Sequence, residues 1–496
     1  MNINNNVLTS KREAKMKLLD LLKGIKVNKI IGKQDINIKD LTCDSNKVVS
    51  GSLFFCINGK DFDGHSYVRQ AQMYGAEAIV CERQLDIPLT QIVVDNARIT
   101  MSYIASNFYG NVDKKMKLIA VVGTNGKTTT SHLIYSILLS AGIKCGMIGT
   151  LGTYYLDKFI EPTLTTPDPI ELYKILYDMY ENGIKTVVME VSAHAIFLSK
   201  VCAIKFFCAV FTNFSQDHLD FFKSIDAYKD AKVNFFTQNQ IKHIVTNSDD
   251  KVGREILNLR QDAITYGMDN PADVFAINIS CKEKATSFYI NLFDYVEQVK
   301  LNMLGFFNVY NALASTCVCS LLGVKSDKII NGLRQFNGVA GRLEKVYSGA
   351  FDVVIDYAHT PDGLNKTLLA LRPFVSNRLI CVFGCGGNRD QTKRKIMGEI
   401  SASLADFTII TSDNPRYEEP MEIISQIEEG VRKKSKHYLM IEDREEAIKH
   451  ALNIAVKGDV ILIAGKGCEK YQEILGIKRL YNDKDTVNEY LRSTEI

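Results

Sequence analysis

Short apolar runs that stop at polar or glycine residues recur along the chain. Leu118–Val122 (LIAVV), TVVM ending at Glu190, and FFCAVF before Thr212 are bounded by turn residues, as are the runs in FDVVIDYAH, RLICVFG, FTIITSDNP and DVILIAG. That is the signature of buried strands. Stretches of helical period lie between them: after Thr128, residues Leu133, Ile134, Ile137, Leu138 and Ala141 fall on one face, with Gly142 as a stop. Strand–helix alternation predicts mostly parallel sheets wrapped by helices, which gather ligands at the carboxyl ends of their strands. Nearer the N-terminus, the β-type runs SLFFCI and AEAIVCE flank a helical stretch, Ser66–Tyr74, and this smaller pattern ends near Val94-Asp95. The expected fold is α/β in three domains, residues 1–97, 98–342 and 343–496.

Composition narrows the class. At 496 residues the chain suits roughly three domains of ~150 residues. With 46% hydrophobic and 24% charged residues it has ample core material, and a net charge of +3 calls for neither nucleic acid nor an anionic membrane surface. No apolar run approaches the ~18–20 residues that span a bilayer. The N-terminal MNINNNVLTSKREAKMK lacks the apolar segment of a signal peptide. Twelve cysteines, scattered without a CxxC pair and often inside apolar runs, read as reduced core thiols. A cytoplasmic protein, monomeric and free of membrane and nucleic-acid partners, is expected.

LIAVVGTNGKTTT carries the densest chemistry. A buried strand delivers the chain to a glycine-bounded loop, whose backbone N–H groups can turn toward an anion. Lys127 brings a point charge to the β/γ-phosphates, and the following hydroxyl can hold Mg²⁺. The longer G-x-x-x-x-G-K-[ST] pattern fails, because its first glycine would fall on Val121. The loop is shorter, and a nucleoside triphosphate is its expected ligand. Polar residues end the other strands: Glu190, His218 in TNFSQDHLD, and Asp356 and His359 in DYAHTPDG. Singly each suits a satisfied polar residue. Beside a phosphate loop, the carboxylate of Glu190 and the imidazole of His218 suit Mg²⁺ or the γ-phosphate. Asp413-Asn414-Pro415-Arg416 fits either an Asn-Pro turn with a solvated arginine or bidentate recognition of a substrate carboxylate.

GTNGKTTT, TTPDP, MEVSAHA, TNFSQDHLD, AYKDAK, GFFNVYNALA, GRLE, DYAHTPDGL, FGCGGNRD, DNPR and GKGCEKYQ, in that order over nearly the whole chain, resemble the Mur ligase family. Within it, the branch that resembles this chain most is the tripeptide-forming MurE type of cell-wall assembly. The resemblance implies an N-terminal UDP-sugar domain, a central ATPase and a C-terminal Rossmann-like domain that binds the amino acid. It also implies ATP-driven amide synthesis through an acyl phosphate. Gly123, Thr124, Asn125, Gly126, Lys127, Thr128, Thr129, Asn311, Arg342 and Asp356 would surround ATP. Thr128, Glu190, His218 and Lys232 would serve Mg²⁺, Lys232 only as a CO₂-derived carbamate, and Lys127, Glu190, His218 and Lys232 would be catalytic. Ser45, Thr165, Thr166, Ser192 and Lys200 would meet the UDP-MurNAc-dipeptide.

The same resemblance points DNPR at meso-diaminopimelate rather than L-lysine. Arg416 and Arg389 would hold the distal carboxylate, with Asp413, Asn414, Pro415, Gly465 and Glu469 around them, Glu469 receiving the distal ammonium. Lysine would leave a desolvated arginine unpaired. The chain departs from the family's usual residues at Asn46, Ala193, Lys200, Ala340 and Cys468, three of which bear on substrate recognition. A relative adding lysine or acting on another acidic acceptor, and an ATP-binding protein without catalysis, are the competing readings.

Overall fold

The computed structural model describes residues 15–59, 62–238, 240–282, 285–293 and 295–494. They fall into two compact units, one drawn from Met1–Val122, Gly142–Val210 and Asn234–Ile244, the other from Gly123–Ala141, Phe211–Val233 and Val245–Ile496.

The first unit holds a five-stranded sheet in the order Lys29–Ile31, Thr90–Val93, Ala76–Cys81, Ser52–Phe55, Asp40–Thr42. All neighbours are parallel except the first pair. It also holds the strand that leads to the phosphate loop, Lys117–Val122. That strand runs parallel to Thr186–Glu190, which runs parallel to Cys145–Gly149. Residues 118–122 are fully buried, because a parallel strand covered on both faces reads as a continuous apolar run. The register sets Glu190 opposite Val121 at the carboxyl end of both strands. Antiparallel Gly152–Tyr155 and Lys158–Ile160 extend this sheet. The expected helix over Ser66–Tyr74 is a 3₁₀ turn, Gly64–Tyr67, followed by a short helix, Val68–Met73.

In the second unit, helix Lys127–Ser140 packs against Phe306–Leu321 and Ser326–Gln335. It stops ahead of Gly142, whose φ of 80° suits glycine. Residues 245–247 pair in parallel with Ile264–Gly267. Val274–Lys282, Ala285–Leu292 and Tyr295–Leu301 then form an antiparallel meander absent from the strand–helix expectation. The C-terminal sheet has the order Glu344–Ser348, Asp352–Asp356, Val460–Ala464, Leu379–Phe383, Phe407–Ile410, Tyr438–Met440, parallel after its first pair. Leu379, Cys381 and Phe383 face a cluster with Leu368, Met397 and Ile427, while Ile380 and Val382 face Ile448, Leu452 and Val487. Helices thus cover both sheet faces, and the parallel strands Asp352–Asp356, Leu379–Phe383 and Val460–Ala464 end along one edge, at Asp356 and just ahead of Gly384 and Gly465. All twelve cysteines are free thiols. Among the described residues no helix is long and apolar enough to cross a membrane.

Candidate active site

The phosphate loop follows Val122 and opens helix Lys127–Ser140. A Cβ on Gly123 would come within 1.8 Å of Thr212 Oγ1. Gly126 has φ 83°, and a Cβ there would lie 2.5 Å from Asn311 Oδ1. Only glycine fits either position. The end of the next strand pins the loop. Thr124 N–H donates to Asn213 O (2.9 Å), and Asn125 N–H to Asn213 Oδ1 (3.0 Å). Asn125 O accepts from Thr212 Oγ1 (2.7 Å), and Asn125 Nδ2 donates to Asp362 Oδ2 (2.9 Å). Lys127 Nζ donates to the carbonyls of Gly123 and Thr124, each at 2.9 Å, which holds its charge over the helix N-terminus. Thr128 and Thr129 are buried in the first turn, and Arg342 Nη2 donates to Thr128 Oγ1 (3.2 Å). Asn311 Oδ1 accepts from Thr130 Oγ1 (3.2 Å).

Lys232, on helix Ile225–Gln238, is completely buried. Its Nζ donates to Tyr228 Oη (2.6 Å) and Thr124 Oγ1 (2.8 Å), and sits 4.0 Å from the centre of the Tyr228 ring. Burial, and then the charge of Lys127, push its pKa well below the usual 10.5 against the opposing charges of Asp217 and Asp250. Desolvation therefore favours the neutral amine, a nucleophile. Tyr228 is absent from the sequence-based site; its spacing of four before a helical lysine is the signal that could have found it.

His218 has left-handed backbone (φ 55°) and packs edge-on to Tyr228. Buried Asp217 sits 3.3 Å from His218 Nε2 and 3.7 Å from His359 Nε2. Burial would raise the Asp217 pKa, but its hydrogen bond to His359 and the nearby positive charges hold it well below the usual carboxylate range. Asp356 is turned into the protein: it accepts from the backbone N–H groups of Leu343 (2.7 Å) and Ala358 (2.9 Å) and from Thr367 Oγ1 (3.1 Å). Burial raises its pKa, with the Arg342 charge opposing. It thereby fixes the turn that lays the Arg342 guanidinium over the Tyr357 ring at 4.4 Å.

Glu190, in the first unit, is buried at its strand end. The Thr150 N–H donates to Oε1 (2.9 Å) and the Thr150 hydroxyl to Oε2 (3.0 Å), an orienting partner that sequence reading missed. Thr165 Oγ1 lies 3.2 Å from Thr150 Oγ1. Thr166 Oγ1 donates to Glu190 O (2.9 Å) and accepts from Ser192 N–H (3.0 Å). Ser192 caps the short helix Ala193–Phe197. The buried Lys200 pairs with Asp168 (2.9 Å), and Ser45 donates to Gln70 (3.0 Å).

The DNPR segment lies along the edge formed by Gly384, Gly465 and their neighbours. A Cβ on Gly465 would meet Asp413 Oδ2 at 2.7 Å. A Cβ on Gly386 would lie 2.9 Å from Arg416 Nη1 and 3.7 Å from Arg389 Cγ, so the two arginines border one glycine. Arg389 is half-exposed and 3.5 Å from Asp220. Glu469 Oε2 accepts from Asn414 Nδ2 (3.1 Å) and from Lys466 Nζ (2.9 Å), which also donates to Asn414 Oδ1 (3.0 Å). Lys466, fully buried between two glycines at a strand end, is a further residue the sequence reading passes over. Pro415 O accepts from Glu418 N–H (3.0 Å), which closes the turn.

The chain matches three family models: Mur ligase family, catalytic domain, over residues 37–118; Mur ligase middle domain over 121–319; and Mur ligase, glutamate ligase domain over 341–467. It is similar to the UDP-N-acetylmuramoyl-L-alanyl-D-glutamate–2,6-diaminopimelate ligase 1 of Clostridium acetobutylicum, 44% identical over 484 residues, 96% of this chain and 99% of that protein. The chain belongs to the Mur ligase family. The correspondingly named ligase of Alkaliphilus oremlandii is 42% identical over 96% of this chain and 99% of its own length. A solved structure of such a diaminopimelate ligase superposes with a TM-score of 0.70 at 29% identity, covering 97% of this chain and all of that one. Three Mur ligase domains with mixed α/β, mostly parallel sheets are thus the architecture of this family member.

Among the described residues no three His, Cys, Asp or Glu side chains converge as a metal cage. Mg²⁺ does not require one: it is held by one or two carboxylates, phosphate oxygens and retained waters. The oriented carboxylate of Glu190 and the hydroxyl of Thr128 are hard oxygen donors of the right type.

Proposed function

We propose that the chain is an ATP-dependent, ADP-forming ligase that adds meso-diaminopimelate to UDP-MurNAc-L-Ala-D-Glu, in cytoplasmic synthesis of peptidoglycan precursors. The observation that carries this reading is the pairing, at one phosphate loop, of two unlike lysines: Lys127 charged over the helix N-terminus, and Lys232 buried against Thr124. The near-full-length similarity to ligases named for diaminopimelate supports the choice of substrates.

The glutamyl carboxylate of the nucleotide dipeptide attacks the γ-phosphorus of ATP and ADP departs, leaving an acyl phosphate. The loop amides and Lys127 hold the phosphates while negative charge migrates to the leaving oxygen. The diaminopimelate amine then attacks the acyl carbon, and phosphate leaves from the tetrahedral adduct. Thr128, Glu190, His218 and carbamylated Lys232 are the proposed Mg²⁺ ligands, and bound Mg²⁺ supplies charge neutralisation on the phosphates. The carbamate forms when the neutral Lys232 amine attacks CO₂: an N–C bond forms, one C=O π bond opens to the oxyanion, and one proton leaves the nitrogen for water, which carries it to bulk buffer. Gly123–Thr129, Asn311 and Arg342 surround the nucleotide, and Asp356 fixes Arg342. Ser45, Thr165, Thr166, Ser192 and Lys200 receive the nucleotide dipeptide.

Arg389, Arg416, Asp413, Asn414, Pro415, Gly465 and Glu469 receive diaminopimelate. We assign these roles to a substrate domain (1–97), an ATPase domain (98–342) and an amino-acid domain (343–496), working as a monomer. Purified protein given ATP, Mg²⁺, the nucleotide dipeptide and diaminopimelate should yield the nucleotide tripeptide and one ADP per amide by mass spectrometry. ADP without tripeptide would refute the reading.

A further inference from the structure

Arg416 is held by one short segment that lies outside the roles assigned above, the hairpin of Tyr471–Ile474 and Ile477–Leu480. Gln472 Nε2 donates to Asp413 O (2.8 Å). Glu473 N–H donates to Asn414 Oδ1 (2.9 Å), and Arg416 N–H donates back to Glu473 O (3.0 Å). Leu475 N–H then donates to Arg416 O (2.7 Å), which joins Arg416 to Ile474 as an isolated parallel bridge. These contacts hold Arg416 with left-handed backbone (φ 54°), a conformation a non-glycine residue keeps only when its surroundings impose it. The side chain is held as well: Glu473 Oε2 lies 3.2 Å from Arg416 Nε, and Arg416 Nη1 donates to Gly387 O (2.8 Å). A guanidinium has five N–H donors in a planar fork. With a carboxylate at Nε and a carbonyl on one N–H of Nη1, its plane is fixed, and the second N–H of Nη1 together with Nη2 forms the edge that can meet a ligand carboxylate.

We infer that Glu473 is a specificity-positioning residue: through its backbone and carboxylate it aims Arg416 at the distal carboxylate of the amino-acid substrate. The inference rests on the diaminopimelate reading. It makes the hairpin part of the selectivity apparatus, acting through Arg416 and not on the reacting atoms. A positioned fork binds a carboxylate bidentately without first losing rotamer freedom, so misaiming it weakens the binding of that one substrate.

The test is steady-state kinetics of Glu473→Gln, Arg416→Ala and the double variant with diaminopimelate and with lysine. Glu473→Gln keeps shape and backbone contacts while removing the charge. The expected result is a KM for diaminopimelate raised about tenfold, with kcat, the KM values for ATP and nucleotide dipeptide, and the weak use of lysine unchanged. The double variant should be no worse than Arg416→Ala alone, because Glu473 works only through that arginine. Wild-type kinetics in Glu473→Gln, equal losses with both amines, or losses that multiply in the double variant would each overturn the inference. Failure of the wild type itself to prefer diaminopimelate would instead overturn the substrate reading.

Discussion

Lys232 Nζ lies 2.6 Å from Tyr228 Oη one helical turn earlier, and that phenol oxygen is also 3.2 Å from Thr124 Oγ1 in the phosphate loop. One helix thus presents an amine, through two hydroxyls, to the loop that would cradle ATP. Both acceptors are neutral, so they satisfy hydrogen bonds without offsetting the desolvation of a cation.

That environment has a pH signature. The unfolded chain binds a proton at Lys232 up to about pH 10.5, while the folded chain, with its pKa well below 10.5, releases it earlier. In the window between those two values, the lysine's contribution to stability rises with pH by up to about 1.4 kcal/mol per unit. In CO₂-free, ligand-free buffer, Lys232→Met should therefore stabilise the protein most near neutrality. The gain should fade as pH approaches 10.5. Denaturant melts across pH 7–10.5 measure this, and a gain that grows with pH would show the reverse sign.

The proposed carbamate predicts a chemical rescue. Lys232→Ala should lose at least about 100-fold in kcat, and short carboxylic acids should restore part of it by placing an oxyanion in the vacated space. Bicarbonate should raise wild-type activity and leave the rescued variant unchanged. Full activity in protein whose mass and ¹³C-bicarbonate NMR spectrum show an unmodified Lys232 would rule the carbamate out.

Thr150 orients Glu190 with both its N–H and its hydroxyl. Thr150→Val keeps the shape and the backbone donor but loses one charge-assisted hydrogen bond, worth about 1.5–3 kcal/mol. The apparent Mg²⁺ requirement should rise roughly tenfold, with a melting temperature within a few degrees of wild type. An unchanged Mg²⁺ titration would remove Glu190 from the metal site.

Much of this arrangement is legible in the linear pattern. LIAVVGTNGKTTT predicts strand, loop and helix because burial on both faces makes parallel strands continuously apolar, and glycine alone tolerates the contacts at residues 123 and 126. The strand ending at Glu190 and the glycine stop at 142 follow from the same local rules. The meander of Val274–Lys282, Ala285–Leu292 and Tyr295–Leu301 is not legible in the same way, because its alternation is weak and a bulge interrupts the register between Ile277 and Ser280. Tyr228, Thr150, Lys466 and Glu473 stayed hidden for another reason. Each acts on a residue that only the fold brings near, or, for Tyr228, through a helical phase that reads equally as core packing.

The account turns on which amine is joined. The direct measurement is kcat/KM for meso-diaminopimelate and for L-lysine with the same nucleotide dipeptide and ATP. Arg416 keeps its pairing with Glu473 when lysine binds, so the preference comes from the charge-assisted hydrogen bonds that lysine cannot make, and at least about tenfold in favour of diaminopimelate is predicted. Equal values for the two amines would contradict the roles given to Arg389 and Arg416 and, with them, the proposed substrate.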